Sequence, residues 1–399
     1  MKRKVELKRT LTLPILTLYG LGTIIGAGIY VLIGKVAAVS SFTAVYAFLF
    51  SGIIAGLSAL SFAELSSRYP KSAGEAVYVS KAFGRPRLAQ IVGWFVVFTG
   101  IVSSATLMNG FYGYLQVFWE TPFLLTIAVL VFSITALSAW GIQQSTLLIA
   151  FITLLEIGGL LYVMAMASGG QGASWGQIFE IPWSMTAVSQ MVVGGFLAFY
   201  AFIGFEDMVN VAEEVKSPRK NMPRAIVLAI VCSTVLYISV AAVTLRHMPM
   251  DQLAQSTAPL ADVISQSGYS STYISFIALV AVINGALVQL IMASRVLYGL
   301  GQQKMAPDIF SKLNAKTQTP LWGTAIIGFV LFIFAIGLPL VTLAKIASFI
   351  MLMVFTLVNL SLVFVKIKHP KPQGVIMFPF WVPILATILC ITILLWQFF

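Results

Sequence analysis

The chain has 399 residues, of which 59% are hydrophobic and only 9% charged, with a formal net charge of +11 and a mean hydropathy of +0.96. A soluble domain carries roughly 25% charged residues, so a water-clothed globular protein is excluded and a polytopic helical membrane protein is expected. The basic excess does not imply nucleic acid, because the lysines and arginines sit in short loops between apolar runs; Cys232 and Cys390 lie inside such runs, which leaves neither a disulfide framework nor a metal cluster.

Hydropathy and helix breakers predict eleven spans, at 13–36, 43–66, 88–117, 122–139, 143–167, 187–211, 223–245, 271–301, 321–338, 341–365 and 376–398. All read as helices, since stretches such as Ile226 to Val243 are apolar on every side and lack the alternation of a membrane β-barrel. The N-terminal run from Met1 to Arg9 leads into a span that continues into further spans, which speaks against a cleavable signal peptide. Twenty of the 24 basic residues fall at the N-terminus and in the loops after spans two, six, eight and ten. That places residues 1–12 in the cytoplasm and the C-terminus, after eleven crossings, outside.

Span one holds Gly22, Gly26 and Gly28, each costing about 1 kcal/mol of helix propensity relative to alanine. Two readings follow: an interrupted helix whose freed N–H and C=O groups bind an ionic solute, or close packing of small residues against another span. Span five carries one charge, Glu156, and an ionisable group deep in a span is a functional candidate. The alternative for it is a neutral acid hydrogen-bonded to a neighbouring helix. Span six contains Phe202-Ile203-Gly204-Phe205-Glu206-Asp207, a second break with two carboxylates. Glu206 reads either as a gate or proton carrier or as a residue that stabilises the broken helix. Glu213 and Glu214 adjoin Lys216, Arg219 and Lys220 and read as a solvated cluster. Asn284 and Gln289 in span eight are of the type that bonds helix to helix. Arg295 and Lys345 lie toward opposite ends of their spans and read as snorkelling or gate-pairing groups. His247 and His369 have no second ligand at metal spacing. Because five is odd, spans one to five and six to ten can be related as inverted repeats, 13–167 and 187–365, with 376–399 as an extra span; paired breaks at matching positions point to a midplane transport site.

The segments Gly22-Thr-Ile-Ile-Gly-Ala-Gly-Ile-Tyr30, Ala63-Glu-Leu-Ser-Ser-Arg-Tyr-Pro70, Ala73-Gly-Glu-Ala-Val-Tyr78, Phe202-Ile-Gly-Phe-Glu206, Ala212-Glu-Glu-Val-Lys-Ser-Pro-Arg-Lys-Asn-Met-Pro223 and Ala293-Ser-Arg-Val-Leu-Tyr-Gly-Leu-Gly301 resemble the amino acid/polyamine/organocation (APC) superfamily of permeases. The family commonly has twelve spans, one more than counted here. The resemblance implies an all-α fold with a 5+5 inverted repeat and broken helices one and six. Around the break in span one, with Gly26 among its glycines, it implies that amides of Ala27 and Gly28 bind a substrate carboxylate. It further implies that carbonyls of Thr23 and Ile24, with those near Phe199 and Ile203, face the ammonium beside the Gly204 break. Tyr200 takes the aromatic position that closes over substrate, with a packing aromatic as its bland alternative, and Gln289 faces the substrate side chain. Some proton-coupled relatives carry a lysine where this chain has Glu156.

The expected function is therefore secondary active transport of amino acids by alternating access. Neutral substrates are expected because the central lining offers mainly Glu156 and Glu206 as charges. Glu156 and Glu206 are the coupling candidates, with a proton as the expected ion and sodium as the alternative. A polyamine or amine carrier, or an exchanger, is the runner-up. A channel would need a filter or charged ring that the sequence lacks, and an enzyme would need a convergent nucleophile, base or metal set; no Walker motif accompanies the spans. The expected surroundings are a lipid bilayer, the plasma membrane of a bacterium or archaeon, with no cofactor, no metal, no nucleic acid partner and no assignable oligomeric state.

Overall fold

The computed structural model describes residues 9–70, 74–141, 146–167, 172–181, 183–370 and 372–398, apart from the side chains of Ala27 and Thr146. These residues form helices and no strands, one isolated bridge between Leu11 and Val215 aside. The spans are Leu13–Ser40, Ala44–Arg68, Pro86–Leu115, Phe123–Trp140, Thr146–Met166, the broken sixth beginning at Met185–Ala198, Pro218–His247, Thr272–Gln302, Leu321–Gly337, Leu340–Lys368 and Trp381–Trp396. In hydrocarbon every backbone polar group must be satisfied within the segment, which is why uninterrupted apolar runs become helices. Span four shows Phe132 76% exposed and span nine shows Phe329 65% exposed, an apolar surface suited to lipid and not to water.

Several boundaries move for identifiable reasons. Span seven begins at Pro218 and not at 223, with Pro218 in the first turn, where a proline costs no hydrogen bond. Pro223 then lies inside the helix and leaves the Arg219 carbonyl without its N–H donor; the Ser67 hydroxyl of span two donates to that carbonyl at 2.8 Å. Span eleven begins at Trp381 and not at 376, because the Phe378 N–H is drawn away to the Glu64 carboxylate at 2.9 Å. Short helices also fill the loops, at Gly74–Phe83, Trp175–Ile178, Met250–Gln255 and Pro259–Gln266.

The packing pattern repeats with an offset of five. Span two packs on span seven, span three on eight and span four on nine. Span one against seven is matched by the start of six against two; span five against eight is matched by ten against three; span two against ten is matched by seven against five. The loop helices obey the same rule: Gly74–Phe83 packs on spans three and ten, and Pro259–Gln266 on spans eight and five.

Span one departs from expectation. It is helical without interruption from Leu13 to Ser40, so the break expected at Gly22–Gly28 is corrected to a continuous helix. The physical reason is close packing. A methyl on Gly22 would overlap the Thr153 hydroxyl of span five, and one on Gly28 would overlap the Ala201 backbone of span six. The propensity cost of the glycines is offset where their missing side chains let helices touch.

Candidate functional site

Span six changes character where it crosses span one. Its α-helix ends at Ala198, a tight 3-10 turn covers Phe199–Phe202, Ile203 is extended with φ −65° and ψ 132°, and Gly204 has φ +129° before a second 3-10 stretch, Phe205–Glu214. Only glycine tolerates that φ readily. A side chain at Gly204 would also collide with the Thr23 carbonyl of span one. The two chains therefore meet backbone to backbone at Thr23 with Gly204 and at Gly28 with Ala201.

Tyr237 of span seven pins this crossing, with its buried hydroxyl 2.9 Å from the carbonyl oxygens of both Ile24 and Ala201. One O–H shared between two carbonyls links spans one, six and seven at the break. The Ile24 carbonyl, expected to face an ammonium, here accepts from Tyr237. The Thr23 hydroxyl donates to the Gly20 carbonyl at 2.9 Å. Ala27 has a helical backbone, and its side chain lies outside the described residues.

Phe199 and Tyr200 are fully buried. The Tyr200 hydroxyl donates to the Ser103 carbonyl of span three at 3.1 Å, so the aromatic ring is anchored across the interior. Phe199 stands edge-on to Phe355 of span ten at 5.6 Å, and Phe355 in turn meets Phe205 and Phe62. These rings seal one side of the crossing.

Glu206 folds back on the break, where its Oε2 accepts the Gly204 N–H at 2.8 Å. Next to it, Asp207 accepts from Gln289 Nε2 at 2.9 Å. All three side chains are buried and border a cavity of about 10 Å³ that Thr99, Met292 and Met351 also line. That volume is about one water molecule, so the crossing is closed around its polar groups.

Glu156 of span five lies beside span one at Gly26. Its carboxyl is completely buried, and its Oε1 is 3.3 Å from where a Gly26 side chain would begin. Asn284 of span eight approaches it without completing a hydrogen bond of ordinary geometry. The Glu156 backbone carbonyl accepts from the Tyr30 hydroxyl at 2.6 Å. Gly26, Glu156 and Asn284 thus bring spans one, five and eight together at one buried polar spot. An unpaired charge there would be costly, whereas a protonated carboxyl would cost far less.

Structure adds residues that the sequence reading left without a role. Tyr237 sits in a strongly apolar stretch that also carries Ser233, Thr234 and Ser239, so its hydroxyl did not stand out. Glu64 is fully buried and pairs with Arg68 at 2.7 Å and Lys366 at 2.8 Å. Glu75, on the loop helix Gly74–Phe83, is buried, and burial with the nearby Asp207 charge pushes its carboxyl up to about 8. Arg295 is exposed and Lys345 half-buried. Among the described residues no group of three or more histidine, cysteine or acidic side chains is arranged to hold a metal ion.

Comparison with known proteins agrees with this architecture. The chain is 30% identical to the mitochondrial cationic amino acid transporter 3 of Arabidopsis thaliana over 92% of its own length and 64% of the plant protein's. It is 28% identical to the methylthioribose transporter of Bacillus subtilis, covering 97% of this chain and 88% of that protein. The same identity relates it to the branched-chain amino acid permease BcaP of Bacillus subtilis, over 98% and 88%. The chain spans less than two thirds of the length of the plant relatives it matches. The amino acid permease family model matches residues 11–399, and the chain belongs to that family, within the APC superfamily.

Proposed function

We propose that this protein is a secondary transporter that carries amino acids by alternating access. Two inverted repeats, 13–167 and 187–365, make up the carrier, and 376–399 is an added span. The observation that carries the reading is the buried break at Ile203–Gly204, held against the backbone of span one. Backbone groups released from helical pairing at a helix crossing are suited to a solute with both a carboxylate and an ammonium. The offset-of-five packing supports the two-repeat reading. Substrate would enter among Thr23, Ile24, Gly26, Ala27, Gly28, Phe199, Tyr200, Ile203 and Gly204, with Gln289 toward the side chain. In the same reading the basic face is cytoplasmic and the membrane is a bacterial or archaeal plasma membrane.

Coupling to protons through Glu156 is supported by its complete burial without a cationic partner at the junction of spans one, five and eight. The test is uptake into proteoliposomes with a pH gradient or a sodium gradient imposed separately. Glu156→Gln should bind substrate and lose acceleration by an inward proton gradient. Full pH-driven accumulation by that variant would remove Glu156 from the proton path and leave Glu206 next, while a requirement for sodium would establish the alternative ion.

A second reading of the substrate has its own support. Asp207 joins Glu206 beside Gln289, so the side-chain end of the site is acidic and suits a basic amino acid as well as a neutral one. The plant relative named a cationic amino acid transporter is consistent with that. Competition of labelled leucine uptake by arginine and by alanine separates the two readings.

A further inference from the structure

The lysine- and arginine-rich face contains a recess of about 670 Å³ where the ends of spans two and ten meet the start of span seven and the segment leading to span eleven. Arg68, Arg219, Lys368 and His369 contribute to its lining, and no carboxylate does. Glu64, the acid behind it, is already bonded to Arg68 and Lys366. That triad therefore leaves one uncompensated positive charge under the floor.

The other cations retain capacity to bind. Lys368 donates one N–H to the Ala82 carbonyl at 2.7 Å, which leaves two of its three donors unused. Arg219 is exposed, and its Nη1 lies 3.7 Å from the position of a Gly374 side chain. Gly374 has φ +69°, so a tight turn passes close to the guanidinium. Arg219 also sits in the first turn of the 30-residue helix Pro218–His247, whose positive dipole end adds to the local potential. The apolar chain neighbour of Lys368, Ile367, is 64% exposed, and Trp381 at the start of span eleven is exposed as well. Charged heads next to lipid-facing apolar groups mark the level of the bilayer headgroups.

We propose that this recess binds the phosphate of an anionic membrane lipid, with Arg219 and Lys368 as the contacting cations and the Glu64–Arg68–Lys366 triad supplying the positive floor. A basic recess between helix ends fits a phosphodiester better than a zwitterionic headgroup, because the choline of the latter would bring a positive charge to a site without an acid. Bound lipid would join spans two, seven and ten on one face, so its occupancy bears on the freedom of the repeats to move.

The experiment uses the full chain in neutral detergent, with phosphatidylglycerol, phosphatidylcholine or inorganic phosphate as ligand. Lipid retention is read by native mass spectrometry and stability by tryptophan fluorescence melting. Phosphatidylglycerol should bind at least about tenfold more tightly than phosphatidylcholine. Arg219→Gln should weaken it about fivefold, the worth of about 1 kcal/mol per basic residue at a membrane surface, and Arg219→Glu should weaken it further. Arg219 has no structural bond to lose, so these variants remain informative if Lys368→Gln fails to fold. Lys312→Gln, on an exposed loop residue outside the recess, should leave binding unchanged. Displacement of lipid by inorganic phosphate with the same Arg219 dependence upholds the proposal and identifies phosphate as the group read; Arg219-dependent lipid binding without such displacement upholds it with the whole lipid as ligand. Equal retention of the two lipids, or equal phosphatidylglycerol binding by wild type, Arg219→Gln and Lys312→Gln, overturns it.

Discussion

Replacing Gly204 by alanine is the sharpest perturbation of the helix crossing. At φ +129° an L side chain is strained, at about 1–3 kcal/mol. The added methyl would also lie well inside van der Waals contact of the Thr23 carbonyl oxygen, so spans one and six must separate by about 1 Å. Tyr237 holds those spans through the Ile24 and Ala201 carbonyls, both at 2.9 Å, and separation costs it one of the two contacts, about 1 kcal/mol. The total is about 2–4 kcal/mol against the closed arrangement, a shift of about 30- to 700-fold in its population. If the transport cycle passes through this arrangement, uptake by Gly204→Ala in proteoliposomes falls by a comparable factor while insertion and size-exclusion profile stay normal. Gly158→Ala is the matched control, since nothing lies within 4 Å of a side chain there. Wild-type uptake by a well-expressed Gly204→Ala protein would refute the claim that this close approach belongs to the working cycle.

Three further outcomes are expected. Gln289→Ala frees Asp207 from its hydrogen bond and should reorder substrate preference toward basic amino acids, measured by competition; an unchanged order would return Gln289 to a helix-joining role. Glu64→Gln leaves Arg68 and Lys366 buried without their anion, and should cost about 3–5 kcal/mol, seen as a lower melting temperature than that of Lys312→Gln. For Glu75, raised from 4.5 to about 8 in the folded protein, the folded state holds a proton that the unfolded state has released between those values. Its contribution to stability therefore falls as pH rises from about 4.5 to 8 and is level above that. Glu75→Gln should flatten that part of the melting-temperature profile, and an identical slope in both proteins would contradict the assignment.

The spans were legible because lipid demands long apolar runs whose backbone bonds close on themselves. The break in span six was legible from Gly204 beside two carboxylates. Span one was not, because the same glycine signal serves both unwinding and close contact, and only the position of Thr153 and Ala201 decides between them. Tyr237 was hidden for a related reason: its partners Ile24 and Ala201 lie 213 and 36 residues away, and a hydroxyl in an apolar helix does not announce its acceptor. The helix Gly74–Phe83 is too short to register as a span, and its importance comes from the buried Glu75 that it brings near Asp207.

Under the proposed two-repeat arrangement, the two ends of the molecule are fastened by corresponding elements with different chemistry. On the basic face, the end of span two holds the segment after span ten through Glu64, which takes the Phe378 N–H and the Lys366 ammonium. On the opposite face, the end of span seven holds the segment after span five through backbone bonds: Gly172 N–H to the Arg246 carbonyl at 3.1 Å and Ala173 N–H to the Leu245 carbonyl at 2.9 Å. In the proposed two-repeat arrangement spans two and seven correspond, as do ten and five, so these would be equivalent fastenings. The backbone version holds almost irrespective of side-chain identity. The ionic version depends on one carboxylate shared between two buried cations, Arg68 and Lys366. Of the two fastenings, the ionic one on the basic face is therefore the one that loss of a single charge would weaken.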